Sequence, residues 1–146
     1  MKDRLSRYFL TIMNPVETRV RVRYAETDQM GVVYYANYLV WMEVGRVEYC
    51  QARGFNYRDM ERDDGAFLVV VEAECRYLAP AFFDDEVIIE TRVVESRVRS
   101  IRFGYRMRQT RSGKLLATGS TNHVICGRDR KPMRLPEKYR GYFPLS

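Results

Sequence analysis

The residues best suited to chemistry lie in "AETDQMGVVYYANY", residues 25–38. Asp28 stands there between an alternating segment and an apolar one. A carboxylate in such a loop can attack a carbon directly or activate a water. It can equally stabilise a turn or a helix start, where acids are favoured without any catalytic role. The elements on either side of Asp28 therefore have to be considered before a role is assigned.

The segment before the loop predicts a half-buried strand from Glu17 to Glu26, with Val20, Val22 and Tyr24 on one face and arginines on the other. The segment after the loop, Asn37 to Gly54, predicts a helix with Asn37 as a possible N-cap and a glycine stop. It is apolar nearly all round, which is typical of a buried helix. Its N-terminal N–H groups and positive dipole end would stabilise negative charge beside the loop.

The rest of the chain predicts mostly strands. After a polar stretch, residues 56–65, residues 66–85 form a strand-like segment with one apolar face made of Phe67, Val69, Val71, Ala73, Cys75 and Tyr77. Residues 86–98, 100–111 and 114–126 give three more strands, the second with Ile101, Phe103, Tyr105 and Met107 inward. The basic tail from residue 127 predicts irregular structure. We expect an α+β fold in which four later strands form an antiparallel meander and the sheet curls around the single helix.

Composition bounds the class of protein. The 146 residues suffice for one domain, residues 1–146, of which 1–12 form a possible non-core arm. No apolar stretch approaches the roughly 20 residues of a membrane-spanning helix, so no membrane association is expected. Cys50, Cys75 and Cys126 have no close-spaced pairing, which favours reduced thiols and a cytoplasmic location. A single histidine, His123, leaves too few ligands for a common metal site.

The net charge of +6 raises the question of nucleic acid. The arginines alternate with apolar residues, as in "TRVRVRY" and "SIRFGYRMRQTR", and do not form a basic run. This spacing indicates a solvated sheet face, and no nucleic-acid partner is expected. Such a face could also attract a small phosphorylated ligand.

Three motifs carry a resemblance to a known family. They are "RYAETDQMGVVYYANYLVWMEVGR", "CRYLAPAFFDDEV" and "ATGSTNHVIC" leading to "KPMRLP", and together they span Thr18 to Pro136. In order and spacing they resemble the 4-hydroxybenzoyl-CoA thioesterase family and its Tol-Pal-associated acyl-CoA thioesterase relatives. The resemblance implies a hotdog fold, with a curled antiparallel sheet wrapped around one long central helix. It also implies a homodimer or homotetramer with active sites at a subunit interface.

The resemblance further implies an acyl-CoA thioesterase, which hydrolyses a thioester to a carboxylic acid and free CoA without any cofactor beyond the CoA of its substrate. Asp28 matches the family's catalytic carboxylate, and Tyr35 matches the residue whose backbone N–H polarises the thioester carbonyl. Gly31 would supply a positive-φ turn or permit close approach of the ligand. Further expected substrate contacts are Tyr38, Met42 and Phe67 for the acyl pocket, and Arg99 and Arg128 for the CoA phosphates.

Several alternatives stay open. The Tol-Pal-associated branch has histidine in place of Tyr35, and the 4-hydroxybenzoyl branch has proline in place of Gln29, so neither branch, and no acyl group, is assigned. A second hotdog lineage carries its acid on the central helix, where Glu43 and Glu48 stand here. The substrate could instead be carried by acyl carrier protein. A non-enzymatic acyl-CoA or nucleic-acid binding module is the alternative from another class.

Overall fold

Five antiparallel strands form one sheet, in the order β1-β3-β4-β5-β2, that wraps one long helix. The computed structural model describes residues 14–143, so the expected arm, residues 1–12, lies outside the described residues. The elements are β1 (Val16–Arg21), α1 (Asn37–Arg53), α2 (Tyr57–Asp64), β2 (Phe67–Tyr77), β3 (Glu86–Ser96), β4 (Ser100–Gln109) and β5 (Leu115–Cys126). Short 3-10 turns cover Tyr24–Glu26 and Glu137–Tyr142. The predicted α+β class with a curled sheet is confirmed.

The central helix α1 has the bounds that the sequence predicts, and Gly54 ends it at φ 102°, a left-handed conformation that glycine adopts without strain. Of its predicted apolar arc, Tyr38, Trp41, Met42, Gly45 and Tyr49 are buried against the sheet, whereas Ala52 in the last turn is exposed. The expectation of burial all round is wrong on the opposite side, because Leu39 and Val40 are 41% and 50% exposed. Among residues 14–143 only one curved sheet covers the helix, and its far side stays uncovered by them.

The meander is correct for β3, β4 and β5 and wrong for β2. Strand β2 pairs antiparallel with β5, whereas β3 pairs with β1 and β4. The segment between β2 and β3 is no hairpin turn. Ala81 accepts a backbone hydrogen bond from Val33, and Phe82 pairs with Val32, so this link packs along the Asp28 loop before β3 begins. Strand β2 is therefore an edge strand of the sheet.

The predicted apolar face of β2 is wrong in its first half. The register shifts between Val70 and Glu72, which leaves Val71 in a β-bulge. A bulge inserts one unpaired residue and reverses the alternation beyond it. Phe67 and Val69 consequently lie on the face opposite to Ala73, Cys75 and Tyr77. In β4, which has no bulge at these positions, Ile101, Phe103, Tyr105 and Met107 are all buried as predicted.

Two local expectations near the helix also fail. Strand β1 ends at Arg21, and a 3-10 turn follows, so Tyr24 points to solvent at 78% exposure instead of continuing the apolar face. The polar stretch 56–65 contains α2, which Asn56 caps by accepting the N–H of Arg58 at 2.8 Å. Only Met60 of α2 is buried, so the hydrophobic periodicity was too sparse to indicate a helix.

The tail closes the end of the core. After the 3-10 turn at Glu137–Tyr142, Phe143 is fully buried between Tyr49 and Phe55. Of the three cysteines, which are all free thiols, Cys50 is buried and Cys75 and Cys126 are half-buried. None of the helices within residues 14–143 combines the length and apolar character needed to cross a membrane.

Candidate active site

A tight hairpin carries Asp28 away from the sheet and returns the chain to α1. The Asp28 N–H donates to Val32 O at 2.9 Å, and the Gly31 N–H donates to Asp28 O at 3.0 Å. Thr27 and Val33 form an antiparallel bridge behind the turn. Gly31 has φ 78° and no atom within 4 Å of where a Cβ would stand. Its turn role is therefore evident: an L side chain would meet no neighbour there but would strain the backbone.

The two carboxylate oxygens of Asp28 have different surroundings. Oδ1 accepts the N–H of Met30 at 2.8 Å, an arrangement that stabilises the turn. For Oδ2, the described part of the chain offers no hydrogen-bond donor or ion-pair partner. Asp28 is half-buried. The turn thus fixes the carboxylate through one oxygen and leaves the other available.

The start of α1 presents unpaired backbone donors. The N–H of Asn37 donates to Tyr34 O at 3.0 Å, and the N–H of Tyr38 reaches Tyr35 O at 3.4 Å. The N–H groups of Tyr35 and Ala36 have no acceptor among residues 14–143. Ala36 occupies the N-cap and its methyl side chain offers no capping oxygen. Together with the helix dipole, two free donors make this point favourable for a developing negative charge.

Asn37 is not the N-cap that the sequence predicts. It is the first helical residue, and its Nδ2 donates to the backbone oxygen of Glu26 at 2.8 Å. On the other side, the hydroxyl of Tyr77, at the end of β2, donates to Tyr35 O at 2.9 Å. Burial raises the pKa of Tyr77 to about 12, so this hydroxyl keeps its proton at neutral pH. Side chains from α1 and β2 thus hold the segment that bears the free donors.

Sequence reasoning missed Glu26, which is only 5% exposed. Its Oε2 accepts the indole N–H of Trp41 at 2.9 Å, and its Oε1 accepts the N–H of Arg23 at 2.8 Å. Its backbone oxygen accepts the N–H of Tyr34 at 2.8 Å. The signal that could have found it is Trp41: an indole on a buried helix face needs an acceptor, and an acid near the helix start is a suitable one.

Tyr38 and Met42, two expected substrate contacts, lie in the core directly behind the hairpin. The Tyr38 ring packs at 5.0 Å from Trp41 and 5.1 Å from Tyr77, and it is 3% exposed. Met42 has no exposed surface and packs against Gly119. In this chain both side chains are therefore core residues and do not line an open pocket.

Phe67 and Arg128 are brought together in a cavity of about 560 Å³, whose other lining residues are Val69, Cys126, Gly127 and Arg130. Arg99 does not line it, although its backbone oxygen accepts the N–H of Ile125 and so places it near the same end of β5. The cavity lies where β2 begins, and the hairpin contacts Tyr77 where β2 ends. Eleven residues of strand span roughly 36 Å. One chain therefore does not bring Asp28 and Arg128 to one site.

His123 lies in a buried polar chain away from the hairpin. Its Nε2 is 2.8 Å from Thr121 Oγ1, which is 2.7 Å from the Tyr105 hydroxyl, and Arg46 donates to that hydroxyl at 3.1 Å. Burial, with the nearby Arg46 charge, lowers the pKa of His123 to about 4. The burial and the hydrogen bond of His123 match a structural role for this residue.

The two alternative acids, Glu43 and Glu48, are exposed on α1.

The alternating arginines of the outer sheet face are paired with glutamates. Arg108 lies 2.9 Å from Glu90 and 2.9 Å from Glu17, and Arg106 lies 3.7 Å from Glu90. A further pair, Arg102 and Glu74, lines an outer-face cavity of about 770 Å³. Charge on this face is thus mixed and does not form the positive stripe that a nucleic-acid backbone favours.

Comparison with known proteins agrees with this geometry. The family model described as thioesterase-like superfamily matches residues 22–142. YneP of Bacillus subtilis is 35% identical over 132 residues, covering 90% of this chain and 92% of YneP. The acyl-CoA thioesterase YbgC of Haemophilus influenzae is 34% identical over 128 residues, which cover 85% of this chain and 90% of YbgC.

Among solved structures, the DHNA-CoA thioesterase of Staphylococcus aureus superposes with a TM-score of 0.79 at 34% identity, covering 89% of this chain and 84% of that one. This likeness confirms the hotdog arrangement of sheet and central helix. The sequence motifs around Asp28, the curled sheet and the family match therefore agree, and the chain belongs to the thioesterase-like superfamily.

Proposed function

We propose that this protein hydrolyses acyl-CoA thioesters to a carboxylic acid and free CoA, with Asp28 as the catalytic carboxylate and the Tyr35 N–H as the donor to the thioester oxygen. The observation that carries the proposal is the hairpin that ends at α1. It presents a carboxylate with one free oxygen and a pair of free N–H groups at a helix start. The thioesterase activity of YbgC supports the same reaction.

The chemistry follows from these groups. The thioester carbonyl oxygen accepts the Tyr35 N–H, and the positive end of α1 stabilises the negative charge that forms on that oxygen. Asp28 attacks the carbonyl carbon, or it removes a proton from a water that attacks. The C–S bond then breaks and CoA leaves as a thiolate that takes up a proton. Water supplies the oxygen and the hydrogens of the products, so the reaction needs no metal or redox cofactor.

The active unit is a dimer in this proposal. Strand β2 has only β5 as a neighbour within residues 14–143, and Val69, Val70 and Val71 on it are 42%, 47% and 60% exposed. An unpaired, apolar edge strand favours pairing with another strand. In a twofold pair the two β2 strands run antiparallel, so the end of one lies beside the beginning of the other. Pairing of dimers into tetramers is a further possibility of the family.

This pairing would complete the substrate site. Tyr77 and the Asp28 hairpin of one subunit would lie near the Phe67–Arg128 cavity of the other. The cavity has an apolar floor and exposed Arg128 and Arg130 at its rim, which suits the adenine ring and phosphates of CoA. Arg99, near the same end of β5, is the second candidate for the phosphates. Gly31, which is exposed, remains the candidate for contact on the acyl side, whereas the buried Tyr38 and Met42 would act there only from within the core.

The test is release of free CoA from short-chain, long-chain and aromatic acyl-CoA esters by wild type and Asp28→Asn. Asparagine keeps an oxygen that accepts the Met30 N–H, so the turn should be retained while the charge is removed. We expect kcat to fall by about 10²- to 10⁴-fold.

Asp85→Asn is the matched control, because Asp85 also accepts a loop N–H, that of Phe82 at 2.9 Å. It should leave turnover unchanged. Full activity of Asp28→Asn would overturn the assignment and direct the search to Glu43 and Glu48.

The two roles left open for Asp28 are separable. A nucleophilic carboxylate forms a covalent acyl anhydride, whereas a general base does not. Rapid acid quenching followed by mass spectrometry of the Asp28 peptide should detect the added acyl mass in the first case alone.

An acyl carrier protein substrate is the competing hypothesis, and exposed Arg128 and Arg130 at the cavity rim, with exposed Lys131 next to them in the chain, favour it. An acidic carrier would be attracted to this end of the chain, so its turnover should fall steeply as salt rises. Faster turnover of the carrier-bound ester than of the matching CoA ester would select this hypothesis. Binding of acyl-CoA without turnover would instead select a non-enzymatic module. We expect a cytoplasmic location, where CoA esters and reduced cysteines coexist.

A further inference from the structure

We propose that Glu26 is a positioning residue for thioester hydrolysis: its buried carboxylate fixes the Asp28 hairpin against the first turns of α1 through the indole of Trp41. This inference rests on the proposed function, because it concerns the alignment of Asp28 with the Tyr35 N–H. Glu26 itself is covered by protein and does not touch the substrate.

Turn formation explains only one contact of the buried Glu26 side chain: Oε1 caps the 3-10 turn by accepting the Arg23 N–H, whereas Oε2 bonds to α1. A carboxylate that is 5% exposed loses most of its hydration, which is unfavourable unless donors replace the water. Both oxygens have such donors: Trp41 Nε1 at 2.9 Å on one, and the Arg23 N–H at 2.8 Å on the other. The Arg23 guanidinium lies 3.3 Å from Glu26 Oε1, the oxygen that also accepts the backbone N–H of Arg23. Both carboxylate oxygens of Glu26 are therefore required as hydrogen-bond acceptors.

The contacts of Glu26 extend to both catalytic groups. Its side chain bonds to Trp41, one turn into α1, and its backbone oxygen accepts both the Tyr34 N–H and Asn37 Nδ2, each at 2.8 Å. Asp28 follows two residues later on the outgoing arm of the hairpin. Tyr35 follows Tyr34 on the returning arm. One residue thus holds the outgoing arm, the returning arm and the helix in a fixed relation.

A carboxylate suits this position better than an amide does. Glutamate accepts at both oxygens, whereas glutamine accepts at one and donates from its nitrogen. In Glu26→Gln, the amide oxygen takes the position that faces two donors, the N–H and the guanidinium of Arg23, so the amide nitrogen faces the Trp41 indole N–H, and two donors cannot bond each other. The substitution therefore breaks one contact with almost no change in volume. Small displacements of aligned groups are costly for catalysis even when binding is preserved.

The experiment compares Glu26→Gln, Trp41→Phe and the double variant in steady-state hydrolysis of the best acyl-CoA ester. We expect each single variant to lower kcat by about 10- to 100-fold, with KM changed by less than about threefold. The double variant should be no slower than the slower single variant, because both changes break one shared contact. Trp41 is the only tryptophan of the chain, so its fluorescence emission should shift in Glu26→Gln.

Glu90→Gln is the matched control. Glu90 is also largely covered, with 15% of its side chain exposed, and it binds Arg106 and Arg108 on the outer sheet face. It should leave kcat and Trp41 fluorescence unchanged. A folded Glu26→Gln protein with wild-type kcat would overturn the proposal, as would fully multiplicative effects in the double variant. If Glu26→Gln does not fold, unchanged kcat in Trp41→Phe overturns it equally. An inactive wild type would instead refute the proposed function.

Discussion

The two oxygens of Asp28 differ in what they contact, and this decides how the residue can be tested. Because Oδ1 accepts the Met30 N–H, deleting the side chain would disrupt the turn and remove the catalytic carboxylate at the same time. Asparagine separates the two effects, since it can accept the same bond. The sequence allowed this dual role to be anticipated, because an acid that opens a glycine-containing turn can stabilise the turn and can also act as a base or nucleophile. It did not indicate that Glu26 would be buried, because its partner Trp41 lies fifteen residues away.

His123 gives a prediction about pH. Its pKa is about 4 in the folded protein and close to 6.5 in an unfolded chain, so between these values only the unfolded state takes up the proton. Stability is thus complete above pH 6.5 and declines as pH falls towards 4, by up to about 3 kcal/mol. His123→Gln should lack this part of the pH dependence in urea unfolding.

A direct check is available because His123 is the only histidine. Its ring proton NMR signal should stay in the neutral position from pH 8 to pH 5 while the protein is folded. A titration midpoint near 6.5 would contradict the buried placement.

Among the elements, α1 packs closely on the sheet at Gly45. A Cβ there would collide with the Thr91 hydroxyl and lie 3.0 Å from Ile89 Cγ2. Gly45→Ala should therefore lower the free energy of unfolding by about 1–3 kcal/mol through overpacking, although alanine favours helix formation. Thr91→Ala in the same chain should recover part of this loss, because it removes the colliding atom. Urea unfolding measures both, and an unchanged midpoint in Gly45→Ala would contradict the packing described.

The elements also show where sequence reasoning reached its limit. Where a sequence pattern continues without interruption, as in the arc of α1 up to Tyr49 and the alternation of β4, the buried face is predicted correctly. The bulge at Val71 was not detectable, because "LVVVE" reads as apolar in either register. The pairing of β2 with β5 was missed because strand order depends on contacts between distant segments, here those of residues 81 and 82 with the hairpin. Helix α2 was missed because its only buried residue is Met60.

At the scale of the whole molecule, the edge strand predicts a link between assembly and activity. Val71→Lys places a charge at a residue that is 60% exposed in the chain, so the subunit should still fold. If β2 pairs with β2 of a second subunit, the variant should become monomeric in analytical ultracentrifugation. It should also lose most turnover, because the Arg128 cavity and the Asp28 hairpin would no longer meet.

Val98→Lys is its control, since Val98 is also exposed, at 39%, but lies in the turn between β3 and β4. It should remain dimeric and active. An active Val71→Lys monomer would refute the shared site.

The sheet order also has a consequence during synthesis. Strand β2 acquires β5, its only neighbour within residues 14–143, when residue 126 has been added, about 50 residues after β2 ends. At about 5–20 residues per second, an apolar strand with three consecutive valines waits roughly 3–10 s on the ribosome without a partner. The nascent chain is most exposed to aggregation in this interval, so slower translation between residues 78 and 126 should lower the yield of folded protein.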